Sequence, residues 1–247
     1  MRSHVATFAD IPQHRALEEI INVRPGCRGA VSTLYQTLLS QEVVSTEKYR
    51  TEWETELGMP ITEEFWQTCL RNIHRCSVNV RLNLIQFKVL HRLHYSKVKV
   101  NKMYSSVSAL CNKCKNQAGT LTHQFWTCPN LHSFWTSVFD FYSKAFDKQL
   151  KPDPLVAILG STSDTDLNYG SDKWPVFLGT VLAKKLILRL WKSDTVPTFE
   201  MWLRELGEIL YLEKLRFKNA GRGRVFDKAW APVMRHLRGL GENEGVG

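Results

Sequence analysis

The chain has 247 residues and a formal net charge of +9, with 43% hydrophobic and 23% charged residues. This composition is typical of a globular protein and argues against a largely disordered chain. No apolar run approaches the ~18 residues of a membrane-spanning helix, and the N-terminus lacks the apolar core of a signal peptide. We therefore expect an intracellular protein of the nucleus or cytoplasm, with reduced cysteines and no membrane partner.

The first third of the chain predicts short helices after an N-terminal segment with little periodic signal. Residues 1–29 end in the turn-rich "RPGCRG" and are expected to be poorly ordered. Helices are predicted over residues 30–41 and 45–58, the latter closed by Gly58. A third helix begins near residue 61, where the Thr62 side chain can cap the free backbone amides.

The next helix is predicted to carry a basic face. Over residues 81–95, apolar side chains fall on one helical face at about 100° per residue: Leu82, Ile85, Val89 and Leu93. An adjacent face carries the cations Arg81, Lys88 and Arg92. Residues 96–104 alternate lysine with valine, a pattern that fits a strand or a loop. The lysines of that stretch are Lys97, Lys99 and Lys102.

The C-terminal half is also predicted to be helical. A helix is expected over residues 129–146, since Pro129 is favoured in a first helical turn. Residues 147–172 resemble a connecting segment, and a helical region over 173–238 includes a helix capped by Thr198. The tail, 239–247, is expected to be disordered. The predicted fold class is mainly α: a bundle-like domain, with a helical basic region over 30–146 that carries a small loop or hairpin insertion.

The positive charge is concentrated in the middle of the chain. From Phe65 to Phe139 there is no Asp or Glu, whereas ten Lys or Arg occur. The rest of the chain, 33 minus 10, has 23 basic residues against 24 acidic ones. A local field of one sign attracts polyanions, and nucleic acid is the commonest of them. Solubility or an acidic protein partner would explain the same charge.

Three cysteines and one histidine lie close together in "CNKCKNQAGTLTHQFWTC". Cys111-x2-Cys114 is followed, after eight residues, by His123-x4-Cys128. This spacing predicts a tetrahedral Zn²⁺ site, with Gly119 allowing the chain to reverse between the two pairs. A redox pair and buried core cysteines are the alternatives, and His132 is a rival for the fourth ligand. We expect loop or turn geometry at His123.

Four protein ligands would leave no open position on the metal, so the predicted site is structural rather than catalytic. A zinc deaminase needs a glutamate two residues after a ligand histidine, in an H-x-E arrangement. Here the sequence is "HQF", and no acid lies nearby. We therefore expect no enzymatic activity and no small-molecule substrate.

The cluster and its flanks resemble a known family. "CNKCKNQAGTLTHQFWTCPNLHSFW" resembles the cysteine-rich C-terminal segment of the reverse-transcriptase protein of LINE-type non-LTR retrotransposons. Upstream "YRTEWETELGMPITEEFW" and downstream "PTFEMWLRELGEILYLEKLRF" look like the corresponding parts of vertebrate, particularly fish-type, elements. The resemblance covers roughly residues 30–238. The polymerase's adjacent Asp-Asp pair and the endonuclease carboxylates have no counterpart, so the chain looks like a detached C-terminal piece.

The resemblance implies a zinc-binding module that contacts the element's RNA, with Cys111, Cys114, His123 and Cys128 as ligands. RNA or another single strand is the expected partner, since no helix-turn-helix or finger code is visible. Trp126 either stacks an unpaired base or covers the metal site from within. The candidate nucleic-acid contacts are Arg81, Lys88, Arg92, Lys97, Lys99, Lys102, Lys113, Lys115 and Trp126. The alternative is a structural domain that docks on a polymerase region or self-associates.

Overall fold

The computed structural model describes residues 45–75, 77–161 and 173–244, together with Ser32 and Tyr35. The chain divides into two compact units, Met1–Thr46 and Glu47–Gly247, and the features below lie in the second. The predictions for residues 1–29 lie outside the described residues. Of the helix predicted over 30–41, only Ser32 and Tyr35 are described.

Within its described residues, the second unit is built from α-helices, which confirms the mainly α, bundle-like fold class. In chain order the helices are α1 (Glu47–Leu57), α2 (Glu63–Asn72), α3 (Val80–Leu90), α4 (Lys97–Met103), α5 (His132–Phe146), α6 (Lys173–Arg189), α7 (Phe199–Asn219) and α8 (Gly223–Glu244). Two π turns and two 3₁₀ turns link them: His123–Thr127, Leu155–Leu159, Ile73–Arg75 and Pro129–Leu131. An isolated antiparallel bridge joins Leu110 to Ala118.

Local signals set the helix ends as the sequence predicts. The Thr62 hydroxyl accepts a hydrogen bond from the Phe65 amide, and the Thr198 hydroxyl accepts one from the Met201 amide, both at 3.3 Å. These contacts satisfy backbone donors that the first helical turn leaves unpaired. Gly58 follows α1 with a φ of 64°, a conformation that glycine adopts without steric cost.

The core is centred on α6, which packs against α3, α5, α7 and α8. Nearly every side chain of α6 between Pro175 and Ile187 is buried. Because α6 contacts protein on nearly all sides, it is apolar around most of its circumference, with Lys184 as a buried exception. The indole of buried Trp202 donates to the Gly179 carbonyl of α6 at 2.9 Å. None of the described helices is both long and apolar enough to cross a membrane.

The structure differs from the prediction at α3 and α4. Helix α3 ends at Leu90 rather than near residue 95, because Arg92 takes a left-handed φ of 53°. The lysine–valine alternation of 96–104 is helical in α4, not extended. Ser96 caps this helix by accepting a hydrogen bond from the Lys99 amide at 3.1 Å. The cap and packing override a local β-like pattern.

Two further differences lie in the C-terminal half. The predicted connecting segment, 147–172, contributes the buried turn Leu155–Leu159 to the core. The Lys184 ammonium donates to the carbonyls of Ala157 and Ile158 at 2.8 and 3.0 Å, which makes burial of this turn possible. Helix α8 runs to Glu244, so residues 239–244 of the predicted disordered tail are helical. The last three residues lie outside the described residues.

Candidate metal centre

A small hairpin positions the first cysteine pair. Around the Leu110–Ala118 bridge, the Cys111 amide donates to the Gln117 carbonyl at 2.8 Å, and the Gly119 amide donates to the Ala109 carbonyl at 2.8 Å. Cys111 follows the bridge residue Leu110 in the first arm, and Cys114 lies in the turn between the two arms. Lys115, with a φ of 58°, reverses the chain directly after the second cysteine. The hairpin part of the predicted insertion is therefore present.

A π turn positions the second pair. In an α-helix, His123 and Cys128 would be about 140° apart around the axis, because five residues do not complete whole turns. The structure instead forms the π turn His123–Thr127, in which the Cys128 amide donates to the His123 carbonyl at 3.2 Å. This five-residue repeat brings positions i and i+5 together. The loop or turn geometry predicted at His123 is thus a π turn in the structure.

The four side chains converge. Their ligand atoms all lie within 4.8 Å of one another. Cys111 Sγ lies 3.9 Å from Cys128 Sγ, and Cys114 Sγ lies 3.4 Å from His123 Nε2. A tetrahedral ion with metal–sulfur bonds of about 2.3 Å and metal–nitrogen bonds of about 2.0–2.1 Å places two sulfurs about 3.8 Å apart and sulfur and nitrogen about 3.6 Å apart. These two separations match that geometry and the other pairs lie within 4.8 Å, so the donor set is compatible with one tetrahedral ion.

The chemistry of the donors also favours a cation. The four cysteines described in the structure, including these three, are free thiols. Burial raises the pKa of Cys128 to about 12, so its thiolate needs a positive partner. Burial also acts to raise the pKa of Cys114, but amide hydrogen bonds from Asn116 and Gln117 outweigh it and leave that pKa lowered. Burial lowers the pKa of His123, which keeps its imidazole neutral with a lone pair to donate.

Hydroxyl groups fix the orientation of the imidazole. His123 Nδ1 lies 3.4 Å from Thr127 Oγ1, while Nε2 faces Cys114. The His123 amide donates to Thr120 Oγ1 at 3.0 Å. A metal on Nε2 places the ring proton on Nδ1, where the Thr127 hydroxyl accepts it. Thr127 therefore holds the ring in its ligating position.

Thr127→Val is expected to weaken metal affinity by about 10- to 100-fold without unfolding the protein, since it removes the acceptor for Nδ1 but keeps the side-chain shape. Competition with a chromogenic chelator measures this affinity. Thr136→Val is the matched control, because the hydroxyl of half-buried Thr136 donates only to the His132 carbonyl within α5, outside the cluster. Equal affinities for the two variants would contradict the positioning role.

Distant residues anchor the hairpin to the end of α6. Lys113 Nζ donates to the carbonyls of Leu190, Ser193 and Thr195 at 3.0, 3.4 and 2.7 Å. Asn112 Nδ2 donates to the carbonyls that follow Leu190 along the chain, at 3.0 and 3.1 Å. These bonds satisfy carbonyl groups that the end of a helix leaves unpaired. Lys113 is thereby removed from the predicted set of phosphate-binding cations.

Arg92, another cation of the predicted set, is neutralised by two glutamates of α1. Its guanidinium pairs with Glu52 at 2.8 Å and with Glu56, and it lies 4.4 Å from the centre of the Trp53 ring. Only 12% of the Arg92 side chain is exposed. Glu56 also accepts hydrogen bonds from the amide and hydroxyl of Thr122, next to the ligand His123. The acid-free window in the sequence is therefore not acid-free in space, and Arg92 is not available to phosphates.

The remaining cations fall into two groups. Arg81, Lys99, Lys102 and Lys115 are exposed, whereas Lys88 and Lys97 are half-buried. On α4, Lys99 and Lys102 lie on the outer side, about 60° apart around the axis. The stem of Lys97 packs on Gly119, where an added Cβ would lie 2.8 Å from Lys97 Cβ. The Val98 amide donates to the Gly119 carbonyl at 3.2 Å, which joins α4 to the hairpin that carries Cys111 and Cys114. We call this hairpin the metal hairpin.

Two further side chains, Trp126 and His132, lie beside the cluster in the sequence. Trp126 is half-buried, with its ring 5.7 Å from that of buried Trp135, so it packs on the core side. His132 is exposed at the start of α5 and is outside the four-residue cluster. Cys69 is fully buried in α2, as expected for a core cysteine, while Cys76 lies outside the described residues.

The supporting contacts were missed by sequence reasoning. Glu56 and Arg92 are 36 residues apart, and Lys113 and Thr195 are 82 apart, so no local spacing reveals them. The one available signal is the pair Glu52 and Glu56, four residues apart on one side of α1. Within the described residues, the cluster above is the group of Cys, His, Asp or Glu side chains placed to hold a metal ion. No protein-family model matches the chain, so the centre is identified by its geometry.

Proposed function

We propose that this chain is a non-catalytic binding module in which a structural Zn²⁺ ion, held by Cys111, Cys114, His123 and Cys128, supports a surface for single-stranded nucleic acid, above all RNA. The observation that carries the proposal is the exposed surface around α4. It combines cations with aromatic rings and is hydrogen-bonded to the metal hairpin. We call it the α4 surface, and its residues are Tyr95, Lys99, Lys102 and Tyr104.

Zinc is the metal that this donor set favours. Three thiolates and one imidazole are soft or borderline ligands, and their separations fit tetrahedral coordination. Four protein ligands complete that coordination and leave no position for water or substrate. Bound zinc supplies folding free energy and charge compensation for the buried thiolates. The chain's own residues contribute orientation, through Thr127, and anchoring, through Lys113 and Asn112.

The α4 surface has the two properties that sequence-tolerant single-strand binding requires. Lys99 and Lys102 are exposed and can neutralise phosphates, releasing counterions. Tyr95 and Tyr104 are 51% and 61% exposed, so their rings are accessible for base stacking. Lys99 Nζ lies 5.2 Å from the centre of the Tyr95 ring, which brings charge and ring to one point.

The choice of RNA rests on the resemblance to the C-terminal segment of LINE-type reverse-transcriptase proteins. That segment is implied to hold the element's RNA beside a polymerase, and this chain lacks the polymerase's paired aspartates. The α4 surface is compatible with that role because stacking on exposed rings requires unpaired bases. The proposal assigns the chain no reaction and no small-molecule substrate.

Lys99→Glu/Lys102→Glu is expected to weaken RNA binding by at least tenfold near 50 mM salt and to reduce the slope of log Kd against log salt by roughly one to two. Fluorescence anisotropy of a short labelled single-stranded RNA, measured near 50 and 200 mM salt, gives both quantities. The matched control is Lys48→Glu/Arg204→Glu, which makes the same charge change at exposed positions of α1 and α7. Wild-type protein that fails to bind RNA at low salt would overturn the proposed function.

The alternative of a protein-interaction domain also has a structural observation in its favour. Helix α3 presents Val80, Leu84 and Phe87 to solvent, with exposed fractions of 75%, 46% and 37%. These positions are i, i+4 and i+7, which form one helical face. Most of α6, by contrast, is buried in the core. Under this alternative the protein self-associates, and the variant Lys99→Glu/Lys102→Glu has the same affinity for single-stranded RNA as the wild type.

A further inference from the structure

Helix α8 carries a line of cations that none of the sequence predictions uses. Four basic side chains recur at positions i, i+4, i+11 and i+14, which places them within about 80° of one another around the axis. They are exposed, and they form no ion pair with the described residues: Arg224, Lys228, Arg235 and Arg238. Together they extend over about 21 Å of the helix. We call this set the α8 stripe.

The opposite side of α8 is fixed in the core. Phe226, Ala229, Trp230 and Val233 are all buried. Phe226 stacks on Trp230 with ring centres 5.9 Å apart. An amphipathic helix that binds a bilayer inserts its apolar face into the lipid, but here that face is already covered by protein. The exposed side of α8 is therefore suited to a soluble polyanion rather than to a membrane.

The α8 stripe leads into an open cleft of about 710 Å³ between α8 and the end of α5. The groups that give the cleft its charge are Lys144, Lys148, Arg235 and Asp147. The lining thus includes three cations and one carboxylate, and the imidazole of His236 lines the same cleft, 5.1 Å from the Phe141 ring. A cleft of this volume is within the range of ligand-binding pockets. Its charge balance favours phosphate groups.

We propose that the α8 stripe and this cleft form a second contact surface for the phosphodiester backbone of the nucleic acid. The inference rests on the nucleic-acid-binding function proposed above and extends it to a part of the chain outside the acid-free window. Helix α5 begins three residues after Pro129, next to the ligand Cys128, and ends at the cleft after 15 residues. The candidate metal centre and the cleft therefore lie near opposite ends of a helix about 22 Å long.

The chemistry of this surface implies backbone recognition without sequence preference. The α8 stripe itself presents arginine and lysine and no aromatic ring. Phosphate contacts set position and affinity, whereas base contacts set specificity. Each neutralised phosphate of a single strand contributes about 0.7 to the salt slope, so four cations contribute up to about three. In this arrangement the α4 surface contacts both bases and phosphates, whereas the α8 stripe contacts phosphates alone.

Arg235→Glu/Arg238→Glu is expected to weaken single-stranded RNA binding by about tenfold near 50 mM salt and to lower the salt slope by roughly one to two. The control Lys48→Glu/Arg204→Glu carries the same charge change, and Arg235→Lys/Arg238→Lys, which keeps the charge, should bind as the wild type does. Circular dichroism checks that each variant is folded. The variant Arg235→Glu/Arg238→Glu should lose affinity for poly(U) and for poly(A) by the same factor.

The outcomes separate this inference from the proposed function. If the α8 variant binds like the control while the α4 variant Lys99→Glu/Lys102→Glu loses affinity, the second surface is refuted and the proposed function stands. If the α8 variant loses affinity and the α4 variant does not, the α4 surface is refuted instead. If wild-type protein binds vesicles of anionic phospholipid through these arginines and not RNA, both proposals are wrong.

Discussion

Cys128→Ser is expected to reduce bound zinc from one equivalent to none and to destabilise the protein by several kcal/mol. A hydroxyl is a poor ligand for zinc, and the substituted position is almost completely buried. A structural zinc site contributes on the order of 10 kcal/mol at neutral pH, which is comparable to the whole stability of a domain. Inductively coupled plasma mass spectrometry measures the metal, and thermal unfolding measures the stability.

Cys69→Ser provides the matched control for this experiment. Cys69 is also fully buried but lies in α2, outside the cluster. We expect this variant to retain one equivalent of metal and to lose no more than about 1–3 kcal/mol, the usual cost of burying a hydroxyl, because the Ser161 side chain lies within hydrogen-bonding reach of this position. A strong chelator should lower the melting temperature of the wild type, and added zinc should restore it. Cys128→Ser protein that keeps its metal would contradict the proposed centre.

The second large effect concerns the core. Gly179→Ala is expected to destabilise the protein by about 1–3 kcal/mol or more, because the site has no space for a methyl group. An added Cβ would lie 2.7 Å from Cε2 and from Cζ of Tyr142. This ring cannot move away easily, since it is 1% exposed and its hydroxyl donates to the Pro175 carbonyl at 2.7 Å. Urea denaturation gives the change in unfolding free energy.

Gly207→Ala should have the opposite sign. Gly207 lies within α7, and an added Cβ there would meet nothing within 4 Å. Glycine costs roughly 0.5–1 kcal/mol relative to alanine in a helix, so this substitution should stabilise the protein by about that amount. The pair separates close packing from helix propensity. A destabilisation of the same size at both positions would show that the contact with Tyr142 is not the cause.

The four residues of the candidate metal centre could be predicted from sequence because the relevant information is local. Cys111, Cys114, His123 and Cys128 lie within eighteen residues, and within the described part of the chain the structure brings those four together. Their spacing did not predict the π turn, which depends on the Cys128 amide pairing with the His123 carbonyl. Helix caps such as Thr198 were predictable for the same local reason.

The cationic surface was less predictable because charge pairing depends on distant residues. Arg92 and Lys113 belong to the basic window in the sequence. In the structure, however, Arg92 pairs with Glu56, and Lys113 donates hydrogen bonds to the backbone carbonyls that follow α6. In α4, the alternating lysines and valines suggested a strand or a loop, but the Ser96 cap and the hydrogen bond from the Val98 amide to the Gly119 carbonyl favour a helix. Counting charge over the whole chain also hid the α8 stripe, since acidic residues elsewhere cancel it in the sum.

The π turn His123–Thr127 is packed against the helical bundle, which determines whether the candidate metal centre could form in an isolated peptide. Phe125, between the ligands His123 and Cys128, is completely buried, and its carbonyl accepts a hydrogen bond from the Trp135 indole at 2.7 Å. Independent zinc fingers can be excised and grafted because they enclose their own ligands. Here neighbouring helices provide that enclosure, so a synthetic peptide spanning the ligands would lack the dry surroundings that strengthen coordination.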